Sequence, residues 1–274
     1  MTFQQIAFLY DCYKRTKGES RENLNMNFID YTLFISFFPQ LIAGPIVHHR
    51  EMMPQFAKMD IDSKNSKKAE FVNYKLLAKG IFIFAIGLFK KVFIADSFAK
   101  WANAGFNIVE KGEFLNLAES WATSLSYTFQ LYFDFSGYGD MAIGLGLMFG
   151  ITLPLNFNSP YKSLNITEFW RRWHITLGKF LTECLYIPLG GNKTSKILNL
   201  RNIFIVFFLS GIWHGAGWGF IIWGILHALA MMTHRVYKWF YESLNKANSF
   251  VKFMQTKSYK ILCWIITFNF INFA

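Results

Sequence analysis

Residues 204–224 read FIVFFLSGIWHGAGWGFIIWG, a long apolar run with a single histidine, His214, at its centre. An ionisable side chain at bilayer depth costs about 2.5–3.5 kcal/mol on insertion scales, so it marks a functional site by default. A neutral imidazole there can take the proton from a hydroxyl. Gly211, Gly215, Gly217 and Gly219 remove side-chain bulk around it, so another helix or a substrate can come close to the backbone. The amides of Gly215 or Gly217, or a nearby indole N–H, are candidate oxyanion donors, and Trp213, Trp218 and Trp223 crowd the run. The competing reading is a packing histidine, hydrogen-bonded across a glycine-rich helix crossing.

His174 is the second candidate. Its surroundings, residues 156–201, are too polar to span a bilayer yet heavily aromatic. Asn165 followed by Glu168 resembles a capping box, and residues 167–181 have helical periodicity. At about 100° per residue, Trp170, Trp173, His174, Leu177 and Leu181 share one face, while Arg171, Arg172 and Lys179 take the other. This predicts an interfacial helix with His174 turned toward the protein and the arginines toward lipid phosphates or an anionic ligand. The PLGGN turn at 188–192 ends the region.

The other ionisable residues carry weaker signals. His48 and His49 lie at the mouth of a proline-broken apolar element and are expected at the interface. Asp134 and Asp140 are expensive in lipid, so they should line a water-filled cavity or pair with an arginine. His227 and His234 are seven residues apart and share a helix face, where packing or interface placement is expected.

These residues need a membrane scaffold. Of 274 residues, 53% are hydrophobic and 19% aromatic, and only 16% are charged, against about 25% in soluble domains. The net charge of +11 falls in loops between apolar runs, the positive-inside pattern, which argues against nucleic acid as partner. Cys12, Cys184 and Cys263 are too dispersed for a disulfide framework or a zinc site. The first residues lack a charged stretch followed by a short apolar run and a small-residue cleavage site, so internal helices are expected to direct insertion.

The implied fold is all-α: a polytopic multi-helix membrane protein with re-entrant or broken helices and an interfacial amphipathic helix. Pro39 and Gly44-Pro45 interrupt residues 31–47, and basic loops flank them on both sides, as a re-entrant hairpin would have. Residues 76–96 can span, with Lys90 and Lys91 snorkelling to an interface. Residues 100–116 read as an external loop. Residues 121–149 exceed one bilayer crossing and are expected to kink or split around Asp134, Gly137, Gly139 and Asp140. The chain begins in an aromatic amphipathic segment, 2–13, and stops within an apolar run, 261–274, so it reads as a piece of a longer protein: one incomplete domain, 1–274.

The order of FFPQLIAGPI, YFDFSGYGDMAIG, LNFNSPY, FWRRWHITL, YIPLGG and SGIWHGAGWGFIIWG resembles the membrane-bound O-acyltransferases (MBOAT). It is similar in particular to the bacterial branch that acylates cell-surface polymers, including alginate and peptidoglycan O-acetylation proteins and, more distantly, teichoic acid D-alanylation proteins. The resemblance implies that His214, in the W-H-G motif, is the catalytic histidine, and that His174, in W-R-R-W-H, is the second signature histidine, orienting, assisting or binding the donor. It further implies acetyl-CoA as a cytoplasmic acyl-donor substrate, with no bound cofactor and no metal. The expected partners are a cell-surface polysaccharide acceptor and an extracytoplasmic partner transferase, and the expected location is the cell (inner) membrane, crossed many times.

Two other classes compete. A membrane metal oxidase needs closely spaced histidines as iron ligands, and no HxxH or HxxxH pair occurs. A transporter or flippase would also combine broken helices with intramembrane polar residues. On charge counting, residues 50–75, 156–201 and 235–260 should be cytoplasmic. Cysteine-accessibility labelling is expected to find all three shielded from the outside, and labelling of 156–201 from outside would overturn this topology.

Overall fold

The computed structural model describes residues 2–17, 28–41, 44–65, 73–244 and 249–274. They form helices and connecting turns, with no strand among the described residues, so the all-α expectation holds. Of the basic loop residues, Arg21, Lys67 and Lys68 lie outside the described residues. The chain divides into two compact units, Met1–Asn156 and Phe157–Ala274.

In the first unit, α1 (Thr2–Thr16) is followed by α2 (Phe28–Ser36), which stops where Pro39 could not continue it. Pro39 instead opens a 3₁₀ turn, Phe38–Gln40, and the Gln40 side chain donates to the Phe34 carbonyl at 2.7 Å. The expected broken element is therefore present. Its Phe34, Phe37 and Val47 join Met52 of α3 (His49–Asn65) and Ala142, Ile143, Leu147, Ile151 and Leu153 in the core of this unit.

Next, α4 (Tyr74–Phe89) is capped by Asn73, whose side chain accepts from the amides of Lys75 and Leu76. It widens into a π-helical stretch at Lys90–Ala95 and continues as α5 (Asp96–Glu110). The loop expected at 100–116 is thus mostly helix. Ala102 and Gly105 are buried on α5, and a Cβ at Gly105 would run into Thr123 of α6 (Leu117–Met148), so close packing holds this stretch helical despite its polar flanks.

The expected kink in 121–149 is also absent: α6 is a single helix of 32 residues, started by a reciprocal capping box between Asn116 and Glu119. Its glycines are used for contact instead of bending. A Cβ on Gly80 would stand 2.6 Å from the Gly144 carbonyl oxygen, and one on Gly87 2.6 Å from that of Gly137. The two pairs are seven residues apart on each of two antiparallel helices, and no larger residue fits at that separation. The same packing brings Lys90 Nζ to 2.6 Å from Asp140, and Lys91 Nζ to 2.7 Å from Asp134 and 2.9 Å from Asp96. The aspartates pair with lysines, not with an arginine, and the lysines reach across to α6 where snorkelling was expected.

In the second unit, α7 (Ile166–Arg172) and α8 (Ile175–Leu181) precede a π-helical turn at Thr182–Tyr186, and then α9 (Lys196–His214) and α10 (Trp218–Ser243) form a tight helical hairpin. Both α9 and α10 are long and apolar enough to cross a membrane. They approach at Gly211 and Gly224, where a Cβ on Gly211 would lie 3.0 Å from the Gly224 Cα. Two helices follow, α11 (Ser249–Met254) and α12 (Lys257–Phe273), and Trp264 of α12 donates its indole N–H to the Tyr161 carbonyl at 2.8 Å.

Replacing Gly87 or Gly137 by alanine should drive the α4 and α6 backbones apart and destabilise the protein by about 1–3 kcal/mol, the usual range for overpacking. Gly219→Ala, where nothing lies within 4 Å of the added methyl, is the control. Thermal unfolding of the three variants in detergent checks this; equal midpoints would show that the glycine contact is not needed.

Candidate active site

His214 is the last residue of α9, and the apolar run that carries it folds into a hairpin where a single crossing would have buried it mid-helix. Gly215 continues in extended backbone, and Gly217 caps α10. A side chain at Gly215 would run into the Phe220 ring, so glycine is required at the tip. His214 is exposed on the chain's surface, yet three aromatics stand around its ring. Trp213 is 4.8 Å away, Trp223 meets it edge-on at 4.9 Å, and Phe220 is 6.5 Å away. An imidazole at a glycine turn, open on one side and walled by indoles, can receive a hydroxyl and take its proton.

His174 sits differently from its sequence expectation. The helix begins as expected: the Asn165 side chain accepts from Glu168 N at 2.8 Å, while Glu168 accepts from Leu164 N and pairs with Arg172 at 2.7 Å. It does not run through to residue 181. The Arg172 carbonyl, which a continuous helix would pair with the amide four residues on, accepts instead from Asn158 N at 2.9 Å. His174 then turns left-handed, with φ 45° and ψ 55°, and becomes the residue on which α8 starts, its own carbonyl accepting from Gly178 N. Such a backbone costs a side-chain-bearing residue about 1–2 kcal/mol, and strain of this kind gathers at functional sites.

His174 is only 7% exposed. Burial holds it down at about 4, and the His214 imidazole adds to the effect, so the two histidines lie within electrostatic reach. Trp173 packs against Phe157, Tyr161 and Phe169.

The sequence reading did not connect His227 with the site. It is 3% exposed, packed as expected, and lies 4.7 Å from Trp223, which also touches His214, and 5.0 Å from Trp170. The signal was available in the hairpin: His227 lies nine residues into α10, on the face that α9 covers. His234 is spent in packing, its Nδ1 2.8 Å from the Thr167 hydroxyl.

In the first unit, His48, His49 and Arg50 all converge on Asp11. His48 Nε2 is 3.0 Å and His49 Nε2 3.7 Å from one carboxylate oxygen, and the Arg50 guanidinium reaches the other at 2.9 Å. Burial, with His48 beside it, holds His49 at about 4. This donor set has the spacing of metal ligands, but the guanidinium already matches the carboxylate's charge, and the cluster works as a clamp between α1 and α3. The interfacial expectation for His49 is corrected: it is buried.

A pH test isolates His174. Its folded value of about 4 lies below the ordinary 6.5, so between these limits the unfolded chain binds more protons and stability rises with pH. The contribution is complete above pH 6.5 and lost as pH falls toward 4, up to about 3 kcal/mol in all. The stability difference between wild type and His174→Gln, measured in detergent at pH 7.5 and 4.5, is expected to shrink at the lower pH; a constant difference would contradict a buried neutral His174.

Comparisons with known proteins follow the same residues. The chain is 53% identical to the peptidoglycan O-acetyltransferase of Helicobacter pylori, over all of this chain and 51% of the relative. It is 42% identical to a probable alginate O-acetylase of Azotobacter vinelandii, over 85% of this chain and 43% of the relative. A teichoic acid D-alanyltransferase of Bacillus subtilis is 30% identical, over 100% of this chain and 66% of the relative. The chain thus spans about half the length of the first two of these curated relatives. The family model for MBOAT matches residues 12–273, which include His174 and His214, and the chain belongs to the membrane-bound O-acyltransferase family.

Proposed function

We propose that this chain is the catalytic portion of a multi-pass inner-membrane O-acetyltransferase that moves an acetyl group from a cytoplasmic thioester toward hydroxyls of a cell-surface polysaccharide. The reading rests on His214: an imidazole at a glycine turn between two membrane-length helices, walled by Trp213 and Trp223, with a second histidine in electrostatic reach. His214 acts as general base toward the attacking hydroxyl. His174, held by an unusual backbone on the buried side, orients or assists it at the donor end.

Acetyl-CoA is the donor, approaching from the cytoplasm, and an extracytoplasmic partner transferase delivers the acetyl group to the polymer. Peptidoglycan is the favoured acceptor, because the relative named for it is 53% identical over the whole of this chain, against 42% over 85% for the alginate relative and 30% over 100% for the teichoic acid relative.

His214→Ala and His214→Gln, made in the full-length protein, should lower polymer acetylation by at least the 10²–10⁴-fold, roughly, that a general base contributes, with membrane insertion intact. Ester-linked acetate released from purified cell wall measures this. Wild-type acetylation by either variant would refute His214 as base.

A further inference from the structure

In the second unit, two polar atoms are shut away from solvent beside each other's rings. The indole of Trp170 on α7 and the imidazole of His227 on α10 meet edge-to-face, centroids 5.0 Å apart and planes at 81°. Phe207 packs on both, Trp223 on both, and Phe270 closes His227 from α12. Trp170 Nε1 and His227 Nδ1 are buried, and neither has a hydrogen-bond partner among the described residues. A buried polar atom left unsatisfied costs about 1–3 kcal/mol. A phenylalanine or leucine at either position would have filled the same aromatic box at no such cost. Two adjacent polar atoms of this kind call for a third group.

The chemistry of the two atoms restricts what that group is. An indole N–H only donates, so the guest must present an acceptor. With its proton on Nδ1, His227 donates as well, and two donors on touching rings suit one oxygen with two lone pairs. Trp223 touches both the box and the base: its ring is 4.7 Å from His227 and 4.9 Å from His214, so the two imidazoles share one indole neighbour.

We propose that Trp170 Nε1–H and His227 Nδ1–H form the pocket for the carbonyl oxygen of the acyl thioester, and so the oxyanion site of the reaction. This rests on His214 serving as base. The acceptor hydroxyl gives its proton to His214 as its oxygen bonds to the carbonyl carbon, and the carbonyl π pair moves onto the oxygen held by Trp170 and His227. Collapse re-forms C=O and breaks the C–S bond, and the departing thiolate takes the proton from His214. Ester and thiol are the products.

The test uses the full-length protein in detergent. Trp170→Phe keeps the ring and deletes the donor, so kcat for acetyl-CoA turnover should fall about 10²–10³-fold, the effect of losing an oxyanion donor, with KM little changed. His227→Asn, which keeps an N–H near Nδ1, should retain more activity than His227→Leu. A ¹³C-carbonyl ketone analogue of acetyl-CoA reads the pocket without chemistry. Its infrared carbonyl stretch is expected to move to lower frequency in wild type and in His214→Gln, and to move back in Trp170→Phe or, if that variant does not fold, in His227→Leu.

An unchanged stretch in those variants, or wild-type kcat in folded Trp170→Phe, overturns the proposal and leaves the box as a site for buried water only. Wild-type turnover by His214→Gln would instead refute the base, while the carbonyl stretch would still decide the pocket.

Discussion

Helix backbones in this protein touch at glycine, and the rest of the structure depends on those contacts. Within a bilayer, apolar side chains gain nothing by leaving lipid for one another, so helices are held by close packing and by polar groups. In the first unit Gly80 meets Gly144 and Gly87 meets Gly137; in the second, Gly211 meets Gly224. Each contact fixes both the separation and the rotation of two helices. Rotation is what the chemistry needs, because the faces brought together are then determined side chain by side chain. With Gly211 against Gly224, Trp223 and His227 of α10 turn toward Phe207 and His214 of α9, and the aromatic cluster around the imidazoles follows.

Charge placement in the first unit follows from the same constraint. Where Gly87 lies on Gly137, the next residues of the first helix are Lys90 and Lys91, and they come level with Asp134 and Asp140. The widening of the helix into a π pattern at Lys90–Ala95 accompanies this pairing, as π bulges commonly mark positions where a helix is re-aimed. Charges that would be costly singly in lipid are matched in pairs. The Asp11 cluster obeys the same rule, with Arg50, His48 and His49 gathered on one carboxylate.

The site's least regular feature has a hydrogen-bond cause. Residues 166–181 have the composition of one helix, and the cap at Asn165 starts one. It ends after Arg172 because the amide of Asn158 takes the Arg172 carbonyl, and the chain turns left-handed at His174. No local preference demands this at a histidine. The break buries His174 and starts a new helix from it, so two short helices replace the long amphipathic one; Trp170 and Trp173 share Phe169, but Trp170 also packs on His227 and Trp173 on Phe157.

Much of this was legible in the chain order of residues. Apolar runs, basic loops and prolines identified a helical membrane protein with a broken second element, since Pro39 has no N–H with which to extend the hydrogen bonds of the helix before it. The W-H-G and W-R-R-W-H motifs singled out His214 and His174 as candidates, because an ionisable ring among tryptophans and glycines is expensive unless it is used. Asn165 and Glu168 signalled a helix start because capping is a matter of three residues. What the sequence could not decide is how remote segments compete. Whether the glycines of α6 bend it or press it against α4 depends on the partner's glycines seven residues apart. Whether Lys90 reaches an interface or Asp140 depends on the rotation those glycines set. His227 and Trp170 become neighbours only through the hairpin and the broken helix, and His174 becomes left-handed only because Asn158 arrives from earlier in the chain. Local preferences act over one helical turn and are written in neighbouring residues; packing and hydrogen-bond competition act between segments tens of residues apart, and only the folded chain resolves them.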